Sequence, residues 1–290
     1  MINEKPTAPD LLEAILGATR CSIKERKREV SLSDLEQRVD GRLGDGDQFV
    51  RVLRQNDRYN VIAECKRRSP SRGLICSSYE PVNIACGYVQ AGAAAISVLT
   101  EPSFFDGSLD HLASVRAAVD LPLLRKDFII SDYQILEAVL VGADAVLLIV
   151  SALDNETLVH LVTYARKFGL EPLLEVHNRA ELIRALDAGA AVIGVNNRNL
   201  RTLDVDLGAS EDLIGHIPEE VVAIAESGLN GSEDLTRLRS VGYNGFLIGE
   251  ALMSKPVPGD TLKKLLGPLD PRSVDRAIRP VDVDERRRES

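Results

Sequence analysis

Tryptophan is absent from this 290-residue chain, and all aromatic residues together make up only 4%. A core must therefore be built from aliphatic side chains, which is what parallel strands buried on both faces require. Cysteine is scarce as well. Cys21, Cys65, Cys76 and Cys86 form no C-x-x-C pair and show no zinc spacing, so four reduced thiols are expected. There is no H-E-x-x-H or equivalent, and no catalytic metal is expected. No apolar run reaches the ~20 residues that span a bilayer. The opening MINEKPTAPDLLEAIL lacks a basic stretch followed by an apolar one. The expected location is the cytoplasm, away from any membrane. Basic residues are outnumbered by acidic ones, 35 to 44, for a net charge of −9, which argues against a nucleic-acid-binding surface. An acidic protein that binds an anion has to concentrate positive charge locally, so basic residues at strand ends become informative.

What is present is a repeat of short apolar runs. They are Val61–Ala63, Ala95–Leu99, Pro122–Leu124, Ala145–Val150, Pro172–Leu174, Ala191–Val195, Val221–Ala225 and Gly245–Ile248. Most intervals carry a helical pattern, as in Ile135–Leu140 and Glu181–Leu186, and six end in a glycine before the next run: Gly92, Gly142, Gly169, Gly189, Gly215 and Gly242. Glycine tolerates the left-handed conformation that closes a helix. Alternating strands and helices with short links imply a parallel sheet. Eight units favour a closed (β/α)8 TIM barrel, and no G-x-G-x-x-G follows the first strand to suggest a dinucleotide fold. Before the first strand, residues 8–40 read as helical, with Leu11, Leu12, Ile15 and Leu16 as a stripe and Ser33–Glu36 as a second helix start. Gly41–Gln48 reads as a polar break. The expected organisation is an N-terminal helical extension (1–50), a catalytic barrel (51–267) and a charged, proline-rich tail (268–290) that is disordered or loosely attached.

In such a barrel the active site lies at the C-terminal ends of the strands. The first strand runs into Glu64-Cys65-Lys66, and alternation points Glu64 and Lys66 toward the barrel axis. A charge pair placed there is costly to desolvate, so function is the better reason for its presence than stability. The third strand ends in Lys126, a candidate general acid. The fifth ends in Glu175, which follows apolar residues and is expected to have a raised pKa suited to acid/base work. The sixth ends in Asn196-Asn197-Arg198-Asn199, whose amides and guanidinium can orient a carboxylate or hydroxyl. The seventh and eighth run into Glu226-Ser227-Gly228 and Gly249-Glu250, at the two loops that often bind phosphate in barrels. His111, His160 and His216 read as surface residues. His177 falls near the site without an evident partner. Together the strand ends describe a site for a phosphorylated, acidic small molecule.

These residues resemble the indole-3-glycerol phosphate synthase family of tryptophan biosynthesis. The resemblance covers residues 8–267 through seven motifs in order: ECKRRSPSRG (64–73), TEPSFFDGS (100–108), LRKDFI (124–129), EPLLEVH (171–177), IGVNNRNL (193–200), AESGL (225–229) and LIGEALM (247–253). It implies conversion of 1-(2-carboxyphenylamino)-1-deoxyribulose 5-phosphate into indole-3-glycerol phosphate, carbon dioxide and water, without metal or cofactor. It implies Lys126 as the acid for ring closure and Glu175 as base. Lys66 becomes an acid or an anion partner tuned by Glu64, while Asn196 and Arg198 position the substrate. Ser69, Ser227, Gly228 and Gly249 would serve the phosphate or a hydroxyl, and Phe105 and Phe128 the aryl ring. Glu226, Leu247 and Glu250 complete the substrate-binding set. Glu250 stands where some members carry serine, which leaves a backbone N–H for the phosphate there. The family's extra N-terminal helix lies over the barrel mouth. The resemblance fits a monomer or weak homo-oligomer. Two alternatives stay open on sequence alone. One is a neighbouring phosphate-binding barrel such as a phosphoribosylanthranilate isomerase, whose reaction does not explain Glu64, Lys66, Lys126 and Glu175 together. The other is a barrel that binds ligand without catalysis, in which a member of that set would have been replaced.

Overall fold

The eight apolar runs become eight parallel strands: β1 (Asn60–Cys65), β2 (Ala95–Leu99), β3 (Leu123–Lys126), β4 (Ala145–Ile149), β5 (Glu171–Val176), β6 (Val192–Asn196), β7 (Val222–Glu226) and β8 (Gly245–Ile248). In the computed structural model, which describes residues 11–199 and 202–267, β8 pairs with β1 from Asn60↔Gly245 to Ala63↔Ile248 and closes the barrel. Helices α1 (Leu11–Glu29), α2 (Leu32–Arg38) and α3 (Gly46–Leu53) precede β1. Between the strands lie α4 (Pro81–Ala91), α5 (Pro102–Phe105), α6 (Leu109–Ala118), α7 (Asp132–Leu140), α8 (Asn155–Lys167), α9 (Arg179–Asp187), α10 (Gly208–Ile214) and α11 (Ser232–Val241). After β8 come α12 (Glu250–Met253) and α13 (Pro258–Leu266).

Strand alternation sorts the apolar residues into two layers. Ile62, Leu124, Leu147, Leu173, Val192 and Ile224 fill the barrel interior. Val61, Ala63, Leu148, Leu174, Ile193 and Ala225 face the surrounding helices. Five of the six glycines expected to stop helices do so with positive φ, from 72° at Gly169 to 122° at Gly242. Gly215 does not: at φ −65° it continues the right-handed turn after α10, and any residue could adopt that conformation.

The segment ahead of β1 divides its work between the two ends of the barrel. Leu12, Ile15 and Leu16 of α1 join the inner apolar cluster from the mouth side. Phe49 and Leu53 of α3, both fully buried, join the same cluster from the opposite end. There the N–H of Gly46 donates to the carbonyl of Gly169 at 2.8 Å, and that of Asp45 to Asp144 Oδ1 at 3.0 Å. Gly169 lies two residues before β5 and Asp144 directly before β4, so α3 seals the N-terminal ends of the strands. Gly41–Gln48 is thus only half a break. Its first part turns at Gly41 (φ 73°), and its second part already belongs to α3, which runs across residue 50. The second helix starts at Ser31 rather than Ser33. Ser31 Oγ accepts from the N–H of Asp34, and the Asp34 carboxylate accepts from the N–H of Ser31, a reciprocal cap. Residues 8–10 of the expected helix and the whole 268–290 tail lie outside the described residues. Among the described residues, no helix is long and apolar enough to cross a membrane.

Candidate active site

Alternation aims the last inward residue of each strand at the barrel mouth, and these ends meet. All fifteen site residues expected from the sequence line one cavity of about 830 Å³ at the C-terminal ends of the strands. At its centre, Lys126 Nζ donates to Glu226 Oε2 at 2.8 Å and to Glu175 Oε2 at 3.1 Å. Both carboxylates are buried, at 1% exposure each. Beside them Lys66 Nζ donates to Glu64 Oε1 at 2.7 Å, so the pair read from the end of β1 is formed.

Burial opposes charge on Lys126, but Glu226, Glu175 and Glu64 outweigh it and hold the ammonium pKa above its usual value. The two carboxylates do not behave alike. Burial works to raise both. At Glu175 the charges of Lys126 and His177 and the neighbouring Asn196 amide win, and its pKa lies below the ordinary value. At Glu226, Lys126 is countered by the negative charges of Glu175 and Glu64, and the pKa is pushed up to about 7. The raised carboxyl is therefore Glu226, not Glu175 as β5's apolar character suggested. The surrounding charges decide the difference: Lys126, His177 and the Asn196 amide act on Glu175, whereas at Glu226 the negative charges of Glu175 and Glu64 work against Lys126.

Two glycines make room for this layer. A Cβ on Gly194 of β6 would come within 2.0 Å of Glu226 Oε1, and one on Gly249 within 2.2 Å of Glu64 Oε1. Gly249 thus seats a carboxylate as well as opening the loop after β8. In the loop after β7, Ser227 and Gly228 both take positive φ, 67° and 78°. For serine this is an uncommon conformation. Ser69, 5% exposed, reaches the cavity from the loop after β1 and is bonded to Ser71 Oγ at 3.2 Å. Phe105 and Phe128 form a tilted pair with ring centroids 6.1 Å apart. Asn196 Oδ1 accepts the N–H of Arg198 at 2.9 Å. Arg198 Nη2 donates to Glu250 Oε2 at 3.2 Å, and Arg72 Nε to Glu250 Oε1 at 2.8 Å. The Glu250 side chain thus ties the loops after β1 and β6 together across the mouth, beyond the backbone role expected at this position.

The expectation of concentrated positive charge is not met. Among the described residues, four basic side chains line the cavity (Lys66, Arg72, Lys126 and Arg198) against six acidic ones. Sequence reasoning also missed several residues. Leu11, Leu12 and Ile15 of α1 wall the cavity, although their helical spacing reads only as core. Arg72 sits inside a quoted motif but carries no spacing signal. Gly194 lies within a strand, where its cost to strand formation was the available clue. His111 is half-buried and packs edge-on against Tyr79, with ring centroids 5.2 Å apart, whereas His160 and His216 are exposed as expected.

With the geometry in place, comparison with known proteins is informative. A family model described as indole-3-glycerol phosphate synthase matches residues 12–265. A protein of that name from Parafrankia is 50% identical over 243 residues, covering 84% of this chain and 90% of its own. One from Sulfurimonas denitrificans is 44% identical over 257 residues, covering 88% and 98%. Indole-3-glycerol phosphate synthase 1 of Streptomyces coelicolor is 45% identical over 256 residues, covering 88% and 94%. Among solved structures, thiamine phosphate pyrophosphorylase from Pyrococcus furiosus superposes with a TM-score of 0.55 at 16% identity, over 71% of this chain and 93% of that one. An N-acetylmannosamine-6-phosphate 2-epimerase from Clostridium perfringens gives 0.55 at 16% identity, over 74% and 94%. These distant structures share the barrel fold alone, whereas the family match spans fold and site together. The chain belongs to the indole-3-glycerol phosphate synthase family.

Proposed function

We propose that this cavity closes the indole ring as a carboxy-lyase, turning 1-(2-carboxyphenylamino)-1-deoxyribulose 5-phosphate into indole-3-glycerol phosphate, carbon dioxide and water. The observation that carries the assignment of roles is Lys126, an ammonium between two buried carboxylates in a cavity with an apolar wall. Attack of the aryl carbon on the ketone carbon builds negative charge on the ketone oxygen, and Lys126 supplies its proton. Each ionised carboxylate strengthens the hold of Lys126 on that proton. Glu226, poised near neutrality, weakens the hold when it is protonated and so tunes the acid. Loss of carbon dioxide restores the aromatic ring. Departure of the hydroxyl as water then needs an acid at oxygen and a base for the proton that the five-membered ring gives up. Lys66, held by Glu64, is the acid, and Glu175, kept ionised, is the base. The turn at Ser227 and Gly228, with Ser69 and the backbone at Gly249, takes the phosphate. Phe105, Phe128, Leu247 and the apolar face of α1 enclose the aryl ring. Arg198 and Asn196 meet the carboxylate, with Glu250 giving up Arg198 as the substrate enters. The enzyme works in the cytoplasm, without a cofactor, as a monomer or weak homo-oligomer.

The purified protein, given this substrate without added metal, is expected to make an indole-fluorescent product. Lys126→Ala is expected to lower kcat by about 100-fold or more while substrate affinity changes little, because the lysine acts in the transition state. Folded wild-type protein that yields no product would sink the reading. A variant with unchanged kcat would remove Lys126 from the acid role.

A further inference from the structure

Ring closure and decarboxylation share one electronic demand. The aryl carbon that attacks the ketone also bears the carboxylate. Attack takes an electron pair out of the ring and leaves positive charge on the ring and its nitrogen. The bond to the carboxyl carbon then breaks, its electron pair returns to the ring, and carbon dioxide leaves neutral. The negative charge of the carboxylate cancels the positive charge of the ring in that step, and no proton moves. A positive charge fixed on the carboxylate opposes both events. It draws electrons from the attacking carbon, and it favours the ionised carboxylate over carbon dioxide. Arg198, which meets that carboxylate, therefore binds the substrate more tightly than the transition state.

Arg198 is held where it stands. Its backbone N–H donates to Asn196 Oδ1 at 2.9 Å, and Nη1 donates to the carbonyl of Leu203 at 3.1 Å. Nη2 donates to Glu250 Oε2 at 3.2 Å, with the two side chains 22% and 26% exposed. Glu250 is anchored as well. Its other oxygen, Oε1, accepts from Arg72 Nε at 2.8 Å, and it opens α12, whose Leu252 and Met253 are buried. A substrate carboxylate that takes Nη2 thus displaces Glu250 from Arg198 without driving it off. Arg72 and the fixed backbone of α12 keep the displaced carboxylate a short swing from the guanidinium.

We propose that Glu250 is a positioning residue for the carboxylate-bearing carbon, an internal rival to the substrate carboxylate for Arg198. Before substrate binds, Glu250 takes the place of that carboxylate on Nη2. In the bound complex it stands beside the guanidinium and weakens the grip of Arg198 on the substrate. As electrons leave the carboxylate for the ring, Glu250 regains Arg198. The ion pair broken on binding is thereby restored on the way to the transition state, which is ground-state strain of a kind that speeds reaction. Glu250 acts through Arg198 and touches no reacting atom. This role rests on the ring-closing reaction assigned above.

The test compares the wild-type protein with Glu250→Gln, which keeps the side chain's length and one acceptor oxygen but removes its charge. Single turnovers with enzyme in excess, followed by indole fluorescence, give the rate of chemistry at saturation and the affinity for substrate. Indole-3-glycerol phosphate, added as a competitive inhibitor, gives the affinity for a ligand that carries the phosphate and no carboxylate. In the variant, substrate is expected to bind about fivefold more tightly, because no ion pair has to be broken. The saturating single-turnover rate is expected to fall about threefold, since a variant that loses rate while gaining affinity has lost ground-state strain. The inhibition constant of the product is expected to stay within about twofold, because this ligand never takes Arg198 from Glu250. Tighter substrate binding with an unchanged rate would overturn the proposal, since Glu250 would then only repel an anion. A product affinity that rises as far as that of the substrate would overturn it for the same reason. Weaker substrate binding together with a slower rate would overturn it too, because Glu250 would then serve only to brace the loops after β1 and β6. Wild-type protein without product would overturn the ring-closing reading, whereas an active wild type with an equally fast variant would overturn the role of Glu250 alone.

Discussion

Lys126 and its two carboxylates show how little a residue's type decides its role. Glu175 and Glu226 share one lysine and are equally buried, yet their pKa values move in opposite directions. The consequence for stability has a definite sign. Glu226 titrates near 4.5 when unfolded and at about 7 when folded. Between those values the native state holds a proton that the unfolded state has lost, so this group makes stability fall as pH rises from about 4.5 to about 7. The full effect is about 3 kcal/mol, present as stability below that window and lost above it. Glu226→Gln is therefore expected to gain on the wild type as pH rises from 5 to 7.5, read as a widening difference in denaturant midpoint. A constant difference across that range would refute the raised carboxyl. Much of this layer was legible from strand ends: alternation put Glu64 and Lys66 on one face, and Lys126 and Glu175 closed their own strands. The opposite behaviour of the two glutamates was not. It depends on a lysine 49 residues from one and 100 from the other, and on a histidine whose partner lies four residues along a different element.

At the scale of elements, the question is what holds α1 over the mouth. Its apolar side chains face the cavity, and its last turns are fixed by one residue. Arg26 donates from Nε to Glu137 Oε1 at 2.6 Å and from Nη2 to Oε2 at 3.2 Å. Glu137 of α7 also meets Arg125, which is 1% exposed and pairs with Asp127 at 2.9 Å. The two ends of this chain of charges differ in exposure: the Arg26 side chain is 31% exposed and that of Glu137 only 7%. Arg26→Ala is expected to cost at most about 1 kcal/mol and to raise KM several-fold, because α1 loosens where, in the proposed reaction, it encloses the aryl ring. Glu137→Ala is expected to cost about 3 kcal/mol or more, because it strips a buried guanidinium of one carboxylate. Equal losses in a denaturant titration would contradict this ordering. The strands were readable as apolar runs with short links, down to the four residues of β8. Helix α3 was not, because Gly46, Asp47 and Gln48 open it with turn-forming residues and hide Phe49 and Leu53 behind a polar start. Its helical character comes from burial against the strand ends, a contact with residues more than a hundred positions away.

For the whole molecule, charge is the property that sequence reasoning interpreted least well. A net charge of −9 led to the expectation of a local positive well, but the basic groups at the mouth are matched or outnumbered by acidic ones. Each is already paired: Lys66 with Glu64, Lys126 with Glu175 and Glu226, and both Arg72 and Arg198 with Glu250. In the function proposed above, the phosphate is held by short-range backbone donors at Ser227 and Gly228, and the substrate carboxylate takes Arg198 from Glu250. Such contacts act within a few ångströms and exert no pull on an anion approaching from solvent. At longer range the substrate meets the field of an acidic protein, which repels it. Salt screens that repulsion over a Debye length of about 10 Å at 0.1 M and leaves the buried ion pairs nearly untouched. Raising potassium chloride from about 10 to about 200 mM is therefore expected to leave kcat unchanged and to keep kcat/KM level or increase it. An enzyme that drew its substrate in by positive charge would lose kcat/KM steeply over the same range, and that result would show that the pairing at the mouth opens before the substrate arrives.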